Sequence, residues 1–195
     1  MNVAEILEAK ANTHPDKPAF IFRNQTITFQ QLRDISFQFA DSLKNLGIKK
    51  SDKVAIYLPN IPEYVYSYLA VWSIGATAVP LDFMLTEDEI ISCLSHSEAR
   101  VLIAKFKPNI SFSRLKENSP TLKEIILCHE NQSEFLSFED LLAKGKNNPP
   151  GIDIQEKDYA IIFYTSGTTG KPKGVLINYL QLGAPPKSME FFVDL

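Results

Sequence analysis

Residues Tyr164 to Val175 read YTSGTTGKPKGV, a composition suited to holding an anion. Three glycines (Gly167, Gly170, Gly174), four hydroxyls (Thr165, Ser166, Thr168, Thr169) and two lysines (Lys171, Lys173) fall within these twelve residues. Glycine permits the positive φ angles at which successive backbone N–H groups turn toward one anion. Hydroxyls add neutral donors, and a lysine supplies a point charge for phosphate. The apolar run Tyr159-Ala-Ile-Ile-Phe163 precedes the stretch and Val175-Leu-Ile177 follows it. Strand, glycine-rich polar loop, strand is therefore the most economical reading. A plain hairpin turn takes about two to five residues, whereas this loop spends about eight on donors and cations. The chemistry on offer is a polyphosphate cradle, but not a Walker A loop, which needs four residues between its glycines and Ser or Thr after the lysine. Only two residues separate Gly167 from Gly170, and Pro172 follows Lys171.

The elements that must hold this loop can be read upstream of it. Residues 3–12 suggest an amphipathic helix with Val3, Ile6 and Leu7 on one face, broken by Thr13-His-Pro-Asp-Lys-Pro18. Phe20-Ile-Phe22 and Thr26-Ile-Thr28 flank Arg23-Asn24-Gln25 as a small hairpin. From Gln30 to Leu46 apolar residues recur at three- or four-residue steps, and Gly47 stands where a helix C′ residue would. Val54–Leu58 has no charge, as expected of a parallel strand covered on both faces. A helix Pro62–Ser73 follows, with proline in its first turn, then a strand Ala76–Leu81. Thr86-Glu-Asp-Glu89 is a capping box opening another helix. Arg100–Ala104 and Glu124–Leu127 read as strands, with Lys107–Thr121 irregular apart from a helical turn around Phe112–Lys116. Ser137–Lys144 reads as a helix and Asn147–Gly151 as a linker. Strands alternate with helices from residue 54 to 142, which argues an α/β fold: layered sheet, flanking helices, right-handed crossovers.

Composition narrows the function. A chain of 195 residues with 45% hydrophobic and 22% charged residues has an ordinary globular composition, long enough for one sizeable core. A net charge of −3 argues against a nucleic-acid-binding surface. Lys49, Lys50 and Lys53 cluster around Asp52 and read as a solvated loop. Cys93 and Cys128 lie in apolar contexts and are expected as free buried thiols. His14, His96 and His129 have no ligand spacing, so no metal site is assigned to them. The opening residues lack the apolar core of a secretory signal. The stretch Ile61–Leu81 carries Pro62, Glu63, Gly75 and Pro80, and reads as a buried helix and strand rather than a membrane span. A cytoplasmic location is the default expectation.

YTSGTTGKPKGV is similar to the phosphate-loop signature of the adenylate-forming (AMP-binding) superfamily, which includes acyl-CoA synthetases, the adenylation domains of peptide synthetases, and luciferases. The likeness extends over essentially all 195 residues. Ile27-Thr-Phe-Gln-Gln-Leu32 resembles the family's L-T-Y-x-E-L segment, and Lys53-Val-Ala-Ile-Tyr-Leu-Pro-Asn60 its D-x-V-A-I-x-L-x-N strand. Trp72-Ser-Ile-Gly-Ala-Thr-Ala-Val-Pro-Leu81 resembles its G-A-x-x-x-P-L turn and strand.

The resemblance implies activation of a small-molecule carboxylic acid, a fatty acid in the leading reading, by ATP and Mg2+ to an acyl-adenylate. Transfer to coenzyme A would follow. Carried over by position, Thr165, Ser166, Gly167, Thr168, Thr169 and Gly170 would wrap the phosphates, with Lys173 their charge partner and Lys171 an exposed loop cation. Pro172 and Gly174 would set the exit into the next strand. No catalytic residue and no metal ligand is assigned. Residues 1–195 correspond to the first part of the large N-terminal domain, since the family's ribose-binding segments, mobile C-terminal domain and late catalytic lysine come after this loop. On that reading the missing remainder of the enzyme is itself a partner, and the chain alone is not expected to complete adenylation. Many relatives have Ser-His or Thr-His after the loop, with the histidine near the acyl site; here Ile177-Asn178-Tyr179 stands, leaving that role vacant or altered. Leu180–Leu195 resembles the start of the next helix. Two alternatives stay open: a fragment of a peptide-synthetase adenylation domain, which Pro80-Leu-Asp82 also fits, and a non-catalytic nucleotide-binding remnant.

Overall fold

The computed structural model describes residues 3–130, 132–165 and 173–183. Helix α1 (Val3–Thr13) opens the chain, and strands β1 (Pro18–Phe22) and β2 (Gln25–Thr28) form a separate antiparallel ribbon turning at Arg23, whose φ is 53°. Helix α2 (Phe29–Asn45) starts at a capping box. The Gln31 N–H donates to Thr28 Oγ1 at 3.3 Å and the Thr28 N–H to Gln31 Oε1 at 3.0 Å. It ends before Gly47, whose φ of 84° is a left-handed cap.

Then follow β3 (Lys53–Tyr57), α3 (Pro62–Ser73), β4 (Thr77–Pro80), α4 (Glu87–Ser97), β5 (Val101–Lys105), α5 (Phe112–Glu117) and β6 (Glu124–Cys128). The remaining elements are β7 (Leu136–Ser137), α6 (Phe138–Lys144), β8 (Tyr159–Thr165), β9 (Lys173–Asn178) and α7 (Tyr179–Gly183). The expected α/β alternation is thus observed. The capping sequence before α4 acts through Glu89, whose carboxylate accepts the Thr86 N–H (2.8 Å) and hydroxyl (2.7 Å). Those bonds hold Glu89 below the usual carboxylate range.

Seven strands form one sheet in the order β7-β6-β5-β3-β4-β8-β9, parallel except for the β8–β9 pair. Alternate residues of each central strand serve two cores. Val54 and Ile56 of β3, Val101 and Ile103 of β5, and Ile126 of β6 pack with α2, α3 and α6 on one face. Ala55, Tyr57, Leu102, Ala104, Ile125 and Leu127 pack with α4 and α5 on the other. Both faces are covered, which is why these strands read as uninterrupted apolar runs.

One expectation needs correction. The buried stripe of α1 is Ala4, Leu7 and Ala11, while Ile6 is 42% exposed. Small alanines let α1 lie close to its neighbours, so the largest side chain does not mark the inner face. The segment after the loop strand contains α7, starting directly at Tyr179. Of Leu180–Leu195, expected to begin the next helix, only residues 180–183 are among the described residues. Cys93 and Cys128 are free and buried as expected; burial pushes the Cys93 thiol up to about 11 and raises that of Cys128 further.

Helices α2 and α6 meet at Gly145. Ser42 Oγ donates to the Leu141 carbonyl at 2.6 Å, and a Cβ on Gly145 would run into the Gln38 carbonyl and come within 2.8 Å of Ser42 Oγ. Gly47 differs: its surroundings are open, and only its left-handed backbone requires glycine. Gly145→Ala is expected to lower the unfolding free energy by about 1–3 kcal/mol through overpacking, and Gly47→Ala by about 1–2 kcal/mol through backbone strain. Urea denaturation measures both; a neutral Gly145→Ala would show that the two helices do not approach this closely.

Candidate functional site

Of the residues read as a cradle, Thr165 and Lys173 are placed; Ser166, Gly167, Thr168, Thr169 and Gly170, with Lys171 and Pro172, lie outside the described residues. Thr165 and Lys173 face each other as the last cross-strand pair of the β8–β9 hairpin, so the strand–loop–strand frame is confirmed. Lys173 is exposed and forms no salt bridge among the described residues.

Strand β8 runs parallel to β4, with Ala78 opposite Ile161. Thr165 therefore points the same way as the carboxyl ends of β3, β4, β5 and β6. Ligands of open α/β sheets sit outside that edge.

The amino half of β8 is secured by side chains. Thr77 Oγ1 donates to the Tyr159 carbonyl at 2.9 Å, and Trp72 Nε1 to the Ala160 carbonyl at 3.0 Å. The carboxylate of Asp158, just before the strand, meets Lys50 Nζ at 2.6 Å and the Gln155 N–H at 2.7 Å. Lys50 also donates to the Asp153 carbonyl at 2.9 Å. The lysine cluster read as a solvated loop thus includes one lysine that ties the linker to the base of the hairpin.

Past Ile161, Tyr164 reaches α4. Its phenol lies 2.8 Å from His96 Nδ1 and 3.4 Å from the Cys93 carbonyl, to which it donates. Its cross-strand partner is Gly174, and a Cβ there would stand 3.5 Å from Tyr164 Cε1 and 3.0 Å from Ile162 Cγ2. Gly174, expected to set the exit from the loop, is a recess in β9 over which two β8 side chains close. Burial pushes the Tyr164 phenol up to about 12.

Tyr179, at the position where the resemblance puts a histidine, is buried. Its hydroxyl donates to the carbonyls of Ala76 (3.0 Å) and Trp72 (3.3 Å), and burial raises its pKa. Asn178 caps α7 by exchanging hydrogen bonds with Gln181, at 2.8 and 3.0 Å. The Asn-Tyr pair is thus a helix cap and a core phenol.

A cavity of about 550 Å³ opens elsewhere, between α1 and the linker. Its lining includes Glu5, Glu8 and Asp153 and none of the hairpin residues. Its carboxylates make it a poor phosphate site, so size is a worse guide here than the chemistry of the loop.

Sequence reasoning missed His96. It lies 68 residues from Tyr164, and no local pattern links them.

Comparison with known proteins agrees with this frame. The family model described as AMP-binding enzyme matches residues 7–190. Bacitracin synthase 3 of Bacillus licheniformis is 31% identical over 175 residues, 90% of this chain and 3% of that protein. The medium/long-chain-fatty-acid–CoA/3-oxocholest-4-en-26-oate–CoA ligase of Mycolicibacterium smegmatis is 28% identical over 181 residues, 90% of this chain and 33% of the ligase. The crystal structure of an anthranilate CoA ligase in complex with anthranoyl-AMP superposes with a TM-score of 0.85 at 28% identity, covering 92% of this chain and 35% of that one. The chain thus spans about a third or less of the length of these relatives.

The raised phenol has a measurable consequence. The unfolded Tyr164 ionises near pH 10 and the folded one near 12. Its stabilising contribution is therefore complete below pH 10 and lost as pH rises through about 12. Relative to Tyr164→Phe, the native chain is expected to lose stability over that window, read by urea midpoints at pH 9, 10.5 and 11.5. A constant difference would show that the phenol is not shielded.

Proposed function

This chain belongs to the AMP-binding enzyme family, whose model spans residues 7–190, and from that premise we propose that it provides the phosphate-binding part of an ATP-dependent carboxylic-acid activation. A carboxylate oxygen attacks the α-phosphorus of ATP, the bond to the β-phosphate oxygen breaks, and pyrophosphate leaves with its electron pair. The product is an acyl-adenylate. Like charges meet in this step, and charge builds on the leaving group, so fixed donors around the β- and γ-phosphates lower the barrier.

In this reading Thr165, Ser166, Gly167, Thr168, Thr169 and Gly170 surround those phosphates and Lys173 neutralises them. The supporting observation is the Thr165–Lys173 pair, a hydroxyl opposite a cation without a salt bridge among the described residues, at the carboxyl edge of the sheet. Magnesium would screen the same phosphates, and coenzyme A would accept the acyl group; the reading assigns neither to a described residue. Residues 1–195 are the first part of the large N-terminal domain of such an enzyme, a proposal supported by coverage of about a third of the ligase and of the solved anthranilate CoA ligase. Transfer of a fatty acid to coenzyme A is the favoured overall reaction. The similarity to bacitracin synthase 3 supports a second reading, aminoacyl activation in a peptide synthetase.

Calorimetric titration with Mg-ATP tests the loop directly. Saturable binding is expected, weakened about tenfold or more in a Gly167→Ala/Lys173→Ala variant by loss of a charge-assisted contact. Equal affinity in both proteins would remove the loop from the site. Pyrophosphate exchange across fatty, aromatic and amino acids is expected to be absent from residues 1–195 alone. Robust exchange would overturn the reading that they are the first part of a larger enzyme, and the acid that supports it would identify the acid class.

A further inference from the structure

Tyr164 and His96 belong to no donor set described above, yet they join the body of the domain to the strands that carry the loop. In the ladder with β4, β8 pairs at Ile161. Its remaining residues, Ile162 to Thr165, pair with β9, where Phe163, Val175 and Leu176 are 40%, 49% and 48% exposed. A two-stranded ribbon of this kind is marginal unless its side chains pack on something else. Here two side chains do so, both on the α4 side: Ile162 lies in the second core, and Tyr164 packs at its margin.

The Tyr164 contact is directional. Its ring meets the His96 imidazole edge-on, at 77° with centroids 5.6 Å apart, and its oxygen lies 2.8 Å from Nδ1. With the Cys93 carbonyl at 3.4 Å, the phenol oxygen has two partners on successive turns of one helix. The same ring lies beside the bare Cα of Gly174, so its position also sets that of β9. Thr165 and Lys173 each follow or precede one of these two residues directly. A tilt of the ring would carry both of them with it.

We propose that His96 and Tyr164 are positioning residues: the His96–Tyr164 hydrogen bond on α4 aims the β8–β9 stem, and with it Thr165 and Lys173, at the nucleotide phosphates. The proposal rests on the phosphate-loop reading above. It makes α4 a supporting element of the site, through a residue outside the signature string.

The test uses the full chain with four substitutions, His96→Ala, His96→Asn, Tyr164→Phe and His96→Ala/Tyr164→Phe, measuring Mg-ATP affinity, thermal midpoint and hydrogen exchange of hairpin amides. Loss of one hydrogen bond is expected to weaken ATP binding by about threefold to tenfold in His96→Ala. His96→Asn, whose amide stands about where Nδ1 stands, should restore most of the affinity. The double variant should be no weaker than Tyr164→Phe, because both remove the same bond. Faster exchange should be confined to residues 162–165 and 173–176.

Wild-type affinity and exchange in His96→Ala and in Tyr164→Phe would overturn the proposal. So would a loss of affinity that follows a fall in thermal midpoint and is not restored by His96→Asn, since that pattern marks a merely structural contact. If the wild-type chain does not bind Mg-ATP, the phosphate-loop reading fails. Exchange then still decides whether the bond holds the stem: locally faster exchange sustains the anchoring role, and unchanged exchange removes it.

Discussion

The attachment of β8 to β4 is the constraint on which the rest of the site depends. One ladder pairing, Ala78 with Ile161, is too little to fix a strand at the margin of a parallel sheet. Side chains make up the difference. Trp72 donates its indole N–H to β8 while its own carbonyl accepts from Tyr179, and Tyr179 begins the helix that follows β9. The Tyr179 N–H in turn donates to the Asp158 carbonyl at 2.9 Å, and the Asp158 carboxylate is held by Lys50. The result is a closed circuit of partnered polar groups through α3, β8, α7 and the linker. The circuit is costly to open at Tyr179, which is 1% exposed and whose released hydroxyl would be left buried without a partner, and less so at the solvent-accessible Lys50–Asp158 pair. The base of the hairpin is thus held by side chains of three other segments.

Legibility followed the physics of each element. Helix α3 was readable to the residue because proline fixes its first turn, and the central strands because two covered faces leave no position for charge. The inner face of α1 was not, since packing there selects alanine and a pattern of large apolar residues points elsewhere. Strand β7 has two residues and α7 five, too few for any periodicity to accumulate, although Asn178 and Gln181 stand at cap-and-return spacing. In the candidate site, donor chemistry and the strand–loop–strand frame were visible in the residue types. The role of Gly174 as a packing recess and the reach of His96 to Tyr164 were not, because both depend on which residues the fold sets opposite one another.

Several of the cations near the sheet are paired. Arg100 pairs with Asp52 at 2.9 Å, Arg114 with Glu87 and Asp88, and Lys50 with Asp158. Lys107 donates to the Phe83 carbonyl at 2.8 Å and lies over the rings of Tyr57 and Phe83. Exposed pairs contribute little to stability, but they prevent stray positive charge from competing for an anion. With a net charge of −3, the chain as a whole does not attract a polyphosphate. Attraction has to be local, which is the part the proposed function assigns to Lys173.

The signature string therefore combines two tasks that its composition alone does not separate. In the proposed function, the hydroxyls and glycines that follow Thr165, together with Lys173, are assigned to a ligand. Tyr164 and Gly174, one step outside that pair on either strand, face each other: a Cβ at 174 would press on Ile162 Cγ2 at 3.0 Å and only touch the Tyr164 ring, at 3.5 Å. A residue with a Cβ at 174 would press first on Ile162, and a smaller one at 164 would leave His96 without its hydroxyl partner. A hairpin presents the residues at the end of its strands in one place only if those strands are fixed in separation and direction. The Tyr164–Gly174 pair fixes the separation, and α4 fixes the direction.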